Sequence, residues 1–136
     1  MHHLRTFHLA LGIIGLIAFV LTGQYMGIFL NGLAGMADGP RLLYRTSHLY
    51  LMWSSLLNLI VGYYFVAAIG RGARALQVLS SALLIAGPPL ILTGFFVESP
   101  ANDLDRVFNG WANYFALGGA ILHVVADASG RRSSRN

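Results

Sequence analysis

Four apolar stretches, each long enough to cross a lipid bilayer, take up most of this 136-residue chain. The hydrocarbon core of a bilayer is about 30 Å thick, so a helix needs about 20 apolar residues to cross it. Backbone amides in hydrocarbon must bond to one another, and these stretches lack the alternation that barrel strands show. The pattern predicts one all-α domain over residues 1–136, an integral membrane, antiparallel four-helix transmembrane bundle with up-down-up-down topology. The predicted spans are residues 7–30, 46–69, 76–97 and 107–127.

Composition narrows the chemistry that the chain can perform. Hydrophobic residues make up 56% of it and charged residues only 10%, and there is no cysteine. Disulfides, iron–sulfur clusters, thiolate zinc sites and cysteine nucleophiles are therefore excluded within these residues. No phosphate-binding loop, zinc-protease motif, serine elbow or dinucleotide fingerprint is present. Nothing in the sequence predicts catalytic activity.

The placement of the arginines explains the net charge of +4. Six lie in the termini and the middle connection, on one side of the predicted bundle: Arg5, Arg71, Arg74, Arg131, Arg132 and Arg135. The opposite side has three arginines diluted by four acidic residues. Positively charged residues favour the cytoplasmic side, so the pattern predicts a multi-pass protein with both termini in the cytoplasm. The charge is read as a topology signal and not as a nucleic-acid surface.

Two histidines fall at the same predicted end of the bundle. His8 lies near the start of helix 1 and His123 near the end of helix 4. Two imidazoles from different helices are what a six-coordinate haem b needs. Asp127, one turn beyond His123, could accept the other ring N–H of that histidine and fix its tautomer. The alternative interpretation is that both histidines lie at the headgroup level or only pack.

The outer rim carries a second candidate site. Arg41, Arg45 and Arg106 could hold a carboxylate or phosphate group through paired hydrogen bonds, with His48 beside them. This pattern predicts binding of a lipid headgroup or of a partner protein. The alternative is that these residues form ion pairs with one another and with the acidic residues of the rim.

Proline and capping residues predict where the helices begin and end. Helix 2 is expected to begin near Pro40 and to run to Ile69, with its first turns outside the membrane. Asn102, with Asp105 three residues later, resembles a capped start for helix 4.

Two mid-span features concern the interior. Asn58 should face the bundle and bond to another helix, because an amide in hydrocarbon needs a partner. Pro88 and Pro89 lie near the middle of helix 3 and predict a kink there. A hinge at these prolines is the basis for one alternative function, a small transporter.

Glycines on helix 1 predict close helix packing. Gly12, Gly15, Gly23 and Gly27 lie on or near one side, and Gly23 with Gly27 forms a small-xxx-small pair. The alternative is that this flat side leaves room for a planar cofactor.

Several segments resemble a group of short bacterial four-helix membrane proteins. They are residues 5–8 (RTFH), 21–26 (LTGQYM), 42–51 (LLYRTSHLYL) and 56–59 (LLNL). The resemblance implies a location in the bacterial inner membrane and brings no assigned function. The chain is more loosely similar to small four-helix b-type cytochromes, through His8, His48 and His123. It departs from a two-haem pattern because His48 has no second histidine on the outer side.

These patterns lead first to a non-catalytic integral membrane protein, an accessory or lipid- or partner-binding four-helix bundle. Its expected partners are the lipid bilayer, other membrane proteins or copies of itself, and not nucleic acid. The alternative function is a mono-haem b-type membrane electron carrier with bis-His ligation by His8 and His123. The second alternative is the small transporter.

Overall fold

The computed structural model describes residues 2–101 and 105–133, and side-chain surroundings for residues 3–101 and 105–129. The described residues form four long helices and one short 3-10 turn, with no strand. The helices are α1 (His2–Ile28), α2 (Asp38–Tyr63), α3 (Arg71–Val97) and α4 (Val107–Ser133). The turn, Asn31–Leu33, connects α1 to α2. The prediction of an all-α, four-helix protein is confirmed.

The helices pack as two hairpins joined side by side. α1 packs closely on α2 and α3 on α4, while α2 and α3 form a narrower seam between the hairpins. Within the first hairpin, Gly12 meets Leu59 and Gly23 meets His48, so the two helices run antiparallel. In the described residues α1 and α4 barely approach each other. The two helices that carry His8 and His123 are therefore not packed together.

Glycine allows the close approach of α1 and α2. A Cβ atom at Gly12 would lie 2.6 Å from the Leu59 Cγ atom and 2.9 Å from its backbone nitrogen. A Cβ atom at Gly62 would likewise lie 2.9 Å from the backbone nitrogen of Leu9. Any larger side chain at these positions would force the two backbones apart.

The predicted pairing of Gly23 with Gly27 is not what holds α1. A Cβ atom at Gly23 would meet only the His48 ring, at 3.1 Å, and one at Gly27 would meet nothing within 4 Å. The tight contacts are made about two to three turns before Gly23, at Gly15 and Gly12. Gly12 and Gly15 thus serve helix packing, whereas the space beside Gly27 is open.

α2 ends at Tyr63, well before the predicted end at Ile69. The reason lies in α3, where the buried Gln77 side chain reaches back to the connection between the helices. Its amide nitrogen donates to the Val66 carbonyl at 2.7 Å, and its amide oxygen accepts from the Ala68 N–H at 2.9 Å. Gln77 replaces helical hydrogen bonds that this segment would otherwise need, so the segment can leave the helix.

α3 remains a continuous helix through Pro88 and Pro89. Each proline lacks an N–H, so the carbonyls of Leu84 and Ile85 lose their usual donor four residues later. Asn58 on α2 supplies one replacement, because its amide nitrogen donates to the Leu84 carbonyl at 2.9 Å. The expected bond between Asn58 and another helix is therefore present.

The start of α4 is capped from α3. The Glu98 carboxylate is buried and accepts hydrogen bonds from the backbone N–H groups of Phe108 and Asn109. The Asn109 side-chain amide also donates to it, at 2.6 Å. The predicted cap cannot be compared in full, since Asn102 lies outside the described residues. Glu98 supplies the negative charge that a helix N-terminus favours.

Two of the helices are long and apolar enough to cross a membrane, judged by length and composition among the described residues. They are His3–Ile28 and Arg71–Val97. α2 and α4 carry more polar residues and do not meet this criterion. Length and composition thus support membrane spans for α1 and α3 only.

Candidate functional site

His8 is the most deeply buried ionisable side chain at the end of the bundle where α1 begins. It lies on α1, is 0% exposed, and places its Nδ1 atom 2.7 Å from the Oδ1 atom of Asn58 on α2. A buried imidazole needs partners for both ring nitrogens or a ligand for one of them. The partner, Asn58, decides which ring nitrogen of His8 carries the proton.

The orientation of the Asn58 amide is fixed by two carbonyls. Its nitrogen lies 2.9 Å from the carbonyl oxygens of both Ser54 and Leu84. Carbonyls only accept, so the atom facing them must be the NH2 group and the oxygen must face His8. Nδ1 of His8 therefore carries the proton and donates it. In the neutral ring, Nε2 is left with a free lone pair.

That Nε2 atom of His8 is buried and has no hydrogen-bond partner among the described residues. An unpartnered acceptor in the interior is unfavourable, by about 1–3 kcal/mol, unless something binds it. A neutral imidazole that donates through one nitrogen and offers the other is the form in which histidine binds a metal. The geometry of His8 thus fits a metal ligand.

His123 of α4 lies beside the same aromatic ring as His8. The ring centroid of Phe65 is 6.2 Å from that of His8 and 6.1 Å from that of His123. Positive charges on the two imidazoles would repel each other, whereas Asp127 attracts a positive charge on His123. The Nδ1 atom of His123 is buried without a hydrogen-bond partner. The structure thus brings His8, His123 and Asp127 to one end of the bundle.

The donor set at this end suits some metal centres and not others. Among the described residues, no group of three or more His, Cys, Asp or Glu side chains is placed to hold a metal ion. A site held by protein side chains alone normally needs three or four such ligands. A macrocycle such as haem brings four nitrogens of its own and needs only two axial ligands. The two imidazoles at this end match that requirement in number.

Space at the site depends on Phe65, which lies between the ends of α2 and α3. The Phe65 ring fills part of the region near both histidines. It belongs to the non-helical segment 64–70, which Gln77 holds through the backbone of Val66 and Ala68.

His48 lies at the other end of the bundle and is engaged with α1. Its Nδ1 atom is 3.0 Å from the Thr22 hydroxyl, and its ring stacks on Phe19 with centroids 4.1 Å apart. The predicted rim residue thus serves the packing of α1 on α2.

Two of the three rim arginines are also held within the chain. Arg41 pairs with the exposed Asp38 at 3.3 Å. Arg106 donates to the Ser47 hydroxyl at 3.2 Å. Arg45 alone of the predicted rim set is exposed. Of the four rim residues, Arg41, His48 and Arg106 are thus engaged with other residues of the chain.

Two residues beside His8 were not predicted from the sequence as parts of this site. They are Phe65 and Asn58. No sequence pattern distinguishes Phe65, because aromatic residues are common within apolar segments. Asn58 could have been predicted from the prolines of α3. A proline inside a helix leaves the carbonyl four residues earlier without a donor, and a neighbouring helix must supply that donor. Pro88 frees Leu84 in this way.

Comparison of the chain with protein-family models, with curated proteins and with solved structures finds no match in any of the three.

Proposed function

We propose that this protein is a membrane-embedded four-helix bundle that binds one haem b through His8 and His123 and carries electrons. The observation that carries the proposal is the free, buried Nε2 lone pair of His8. The proposal joins two parts, a location and a cofactor, and each has its own support.

The membrane location is supported by the distribution of polar side chains in α2 and α4. Large apolar side chains of these helices point outward: Leu49, Trp53, Ile60, Trp111, Leu117 and Ile121. Polar side chains of the same helices are buried: Ser47, Ser54, Ser55, Asn58 and Asn109. A water-soluble bundle has the opposite arrangement. Mean hydropathy combines both faces of a helix, so it understates how apolar the outer face is.

We expect the protein to stay in the membrane fraction after washing with alkaline carbonate and with high salt, and to be released only by detergent. Topology reporters fused to the N-terminus and to the C-terminus should both report a cytoplasmic location, since four spans return the chain to its starting side. Release by carbonate, or fusions that report opposite sides, would contradict the four-span bundle.

Each residue of the site has a defined task in haem binding. His8 offers Nε2 while Asn58 holds the proton on its other nitrogen. His123 is the second ligand, and Asp127 interacts with it as a negative charge. When bound, haem would supply one-electron chemistry between ferric and ferrous iron. The surrounding apolar side chains limit access of water, which raises the influence of nearby charges on the iron.

The expected result for purified protein in detergent is a Soret band, with α and β bands on reduction that are typical of bis-imidazole haem. His8→Ala and His123→Ala should each lower the haem content at least tenfold at equal protein recovery. His48→Ala is the matched control and should keep the bands, because His48 is occupied by Thr22 and Phe19 at the other end. No Soret band after expression with sufficient haem would overturn the proposal.

Lipid or partner binding at the outer rim stays a prediction, and Arg45 is the one residue of that set left exposed to support it. The transporter alternative receives no support from α3, which continues as a helix through both prolines.

A further inference from the structure

We propose that Pro88 is a positioning residue for His8, acting through the Leu84 carbonyl and Asn58 to place the ring proton on Nδ1 and keep Nε2 free. The purpose of that arrangement, haem binding, rests on the proposed function. The arrangement itself can be measured in protein without haem.

The first step is the carbonyl that Pro88 leaves without a helical donor. In an α-helix the N–H of residue 88 would donate to the carbonyl of Leu84, and proline has no N–H. Leu84 is 1% exposed, so water does not reach the site freely. The Asn58 amide nitrogen, at 2.9 Å, takes the place of the missing donor.

The second step is the close approach of the helices at this level. A Cβ atom at Gly87 would lie 2.5 Å from the Ser54 hydroxyl oxygen, and one at Gly15 would lie 2.1 Å from the Ser55 hydroxyl oxygen. These glycines let α3 and α1 approach α2 from two sides. The short Asn58 side chain can therefore reach Leu84 on one side and His8 on the other.

The third step is the loss of freedom in the Asn58 amide. Both of its N–H groups are used, one on Ser54 and one on Leu84. Rotating the amide by half a turn would put its oxygen against two carbonyl oxygens and its nitrogen against the His8 ring. That rotation would exchange two hydrogen bonds for repulsion between acceptors. The oxygen therefore faces His8, and His8 must donate from Nδ1.

The neighbouring proline supplies a matched control. Pro89 is exposed on the outside of α3 and frees the Ile85 carbonyl, which Asn58 does not contact. Pro88→Ala restores a backbone N–H that competes with the Asn58 amide for the Leu84 carbonyl. Pro89→Ala makes the same replacement one residue later in the same helix, where the restored N–H would face the Ile85 carbonyl instead. A merely structural effect of losing a proline should appear equally in both variants.

The experiment is nitrogen NMR of the histidine rings in haem-free protein, labelled at histidine and held in detergent micelles at mildly alkaline pH. In the unaltered chain, the Nδ1 atom of His8 should give the shift of a protonated nitrogen and Nε2 that of an unprotonated one. Asn58→Leu and Pro88→Ala should move both shifts toward the average of two exchanging tautomers. Pro89→Ala should leave them in place.

The outcomes separate this inference from the proposed function. If His8 carries its proton on Nε2 in the unaltered chain, or if both proline variants act alike, the positioning role is wrong even when haem binds. If the shifts respond as expected but no haem binds, the positioning role holds and the proposed cofactor is wrong. Should Asn58→Leu fail to fold, the two proline variants still decide the question.

Discussion

Replacing Glu98 with alanine is expected to destabilise the bundle by about 3 kcal/mol, since it removes the cap of α4 and strands a buried amide. The carboxylate accepts from two backbone N–H groups and from the Asn109 side chain. Hydrogen bonds to a charged group contribute about 1.5–3 kcal/mol, and the variant would leave Asn109, which is 1% exposed, without its partner. The α3–α4 hairpin should loosen at the connection between the two helices.

Thermal unfolding followed by far-UV circular dichroism in detergent would measure this change. Asp38→Ala is the matched control, because Asp38 is likewise an acidic residue near a helix N-terminus but its side chain is 97% exposed. That variant should cost about 0.5 kcal/mol or less. Glu98→Gln, which keeps an acceptor oxygen and loses the charge, should fall between the two. Equal melting temperatures for Glu98→Ala and Asp38→Ala would contradict the role of Glu98.

The second large effect is expected from Gly12→Leu, which should separate α1 from α2 and cost about 3 kcal/mol or more. The added side chain would collide with Leu59, including its backbone nitrogen, which cannot rotate away. Because His8 lies one turn before Gly12, the shift of α1 would also pull His8 from Asn58. Haem content should fall together with stability.

Gly27→Leu tests whether the position or the added bulk is responsible. It makes the same change on the same helix, where a Cβ atom would meet nothing within 4 Å. It should keep both the melting temperature and the haem bands within error of the unaltered protein. A comparable loss in both variants would show that α1 tolerates leucine poorly everywhere and would remove the argument from Gly12.

The helices were predictable because long apolar runs leave the backbone few options, and the shared end of His8 and His123 followed from their depth in those runs. The end of α2 was not predictable locally, since residues 64–69 are as apolar as the helix before them. Its cause is Gln77, on the next helix. Local capping rules likewise could not reveal Glu98, because it lies nine residues before α4 begins.

The side chains of the outer rim illustrate a different limit. Sequence places Arg41 and Arg106 at the correct end, but it cannot tell whether a long side chain points outward or folds back. The Ser47 hydroxyl that Arg106 reaches lies on a different helix, whereas the exposed Asp38 that pairs with Arg41 lies one turn earlier on the same helix. The depth of a residue follows from sequence, whereas its orientation depends on contacts between helices.

The position of Asn58 at the seam between the two hairpins has a consequence for the order of assembly. His8 and Asn58 belong to the first hairpin, but Leu84, one of the two carbonyls that orient the amide, belongs to the second. A nascent chain with only its first half in place would lack that carbonyl. Until the second half docks, the Ser54 carbonyl alone would orient the amide, and under the proposed function cofactor capture would follow completion of the bundle because His123 also lies in that half.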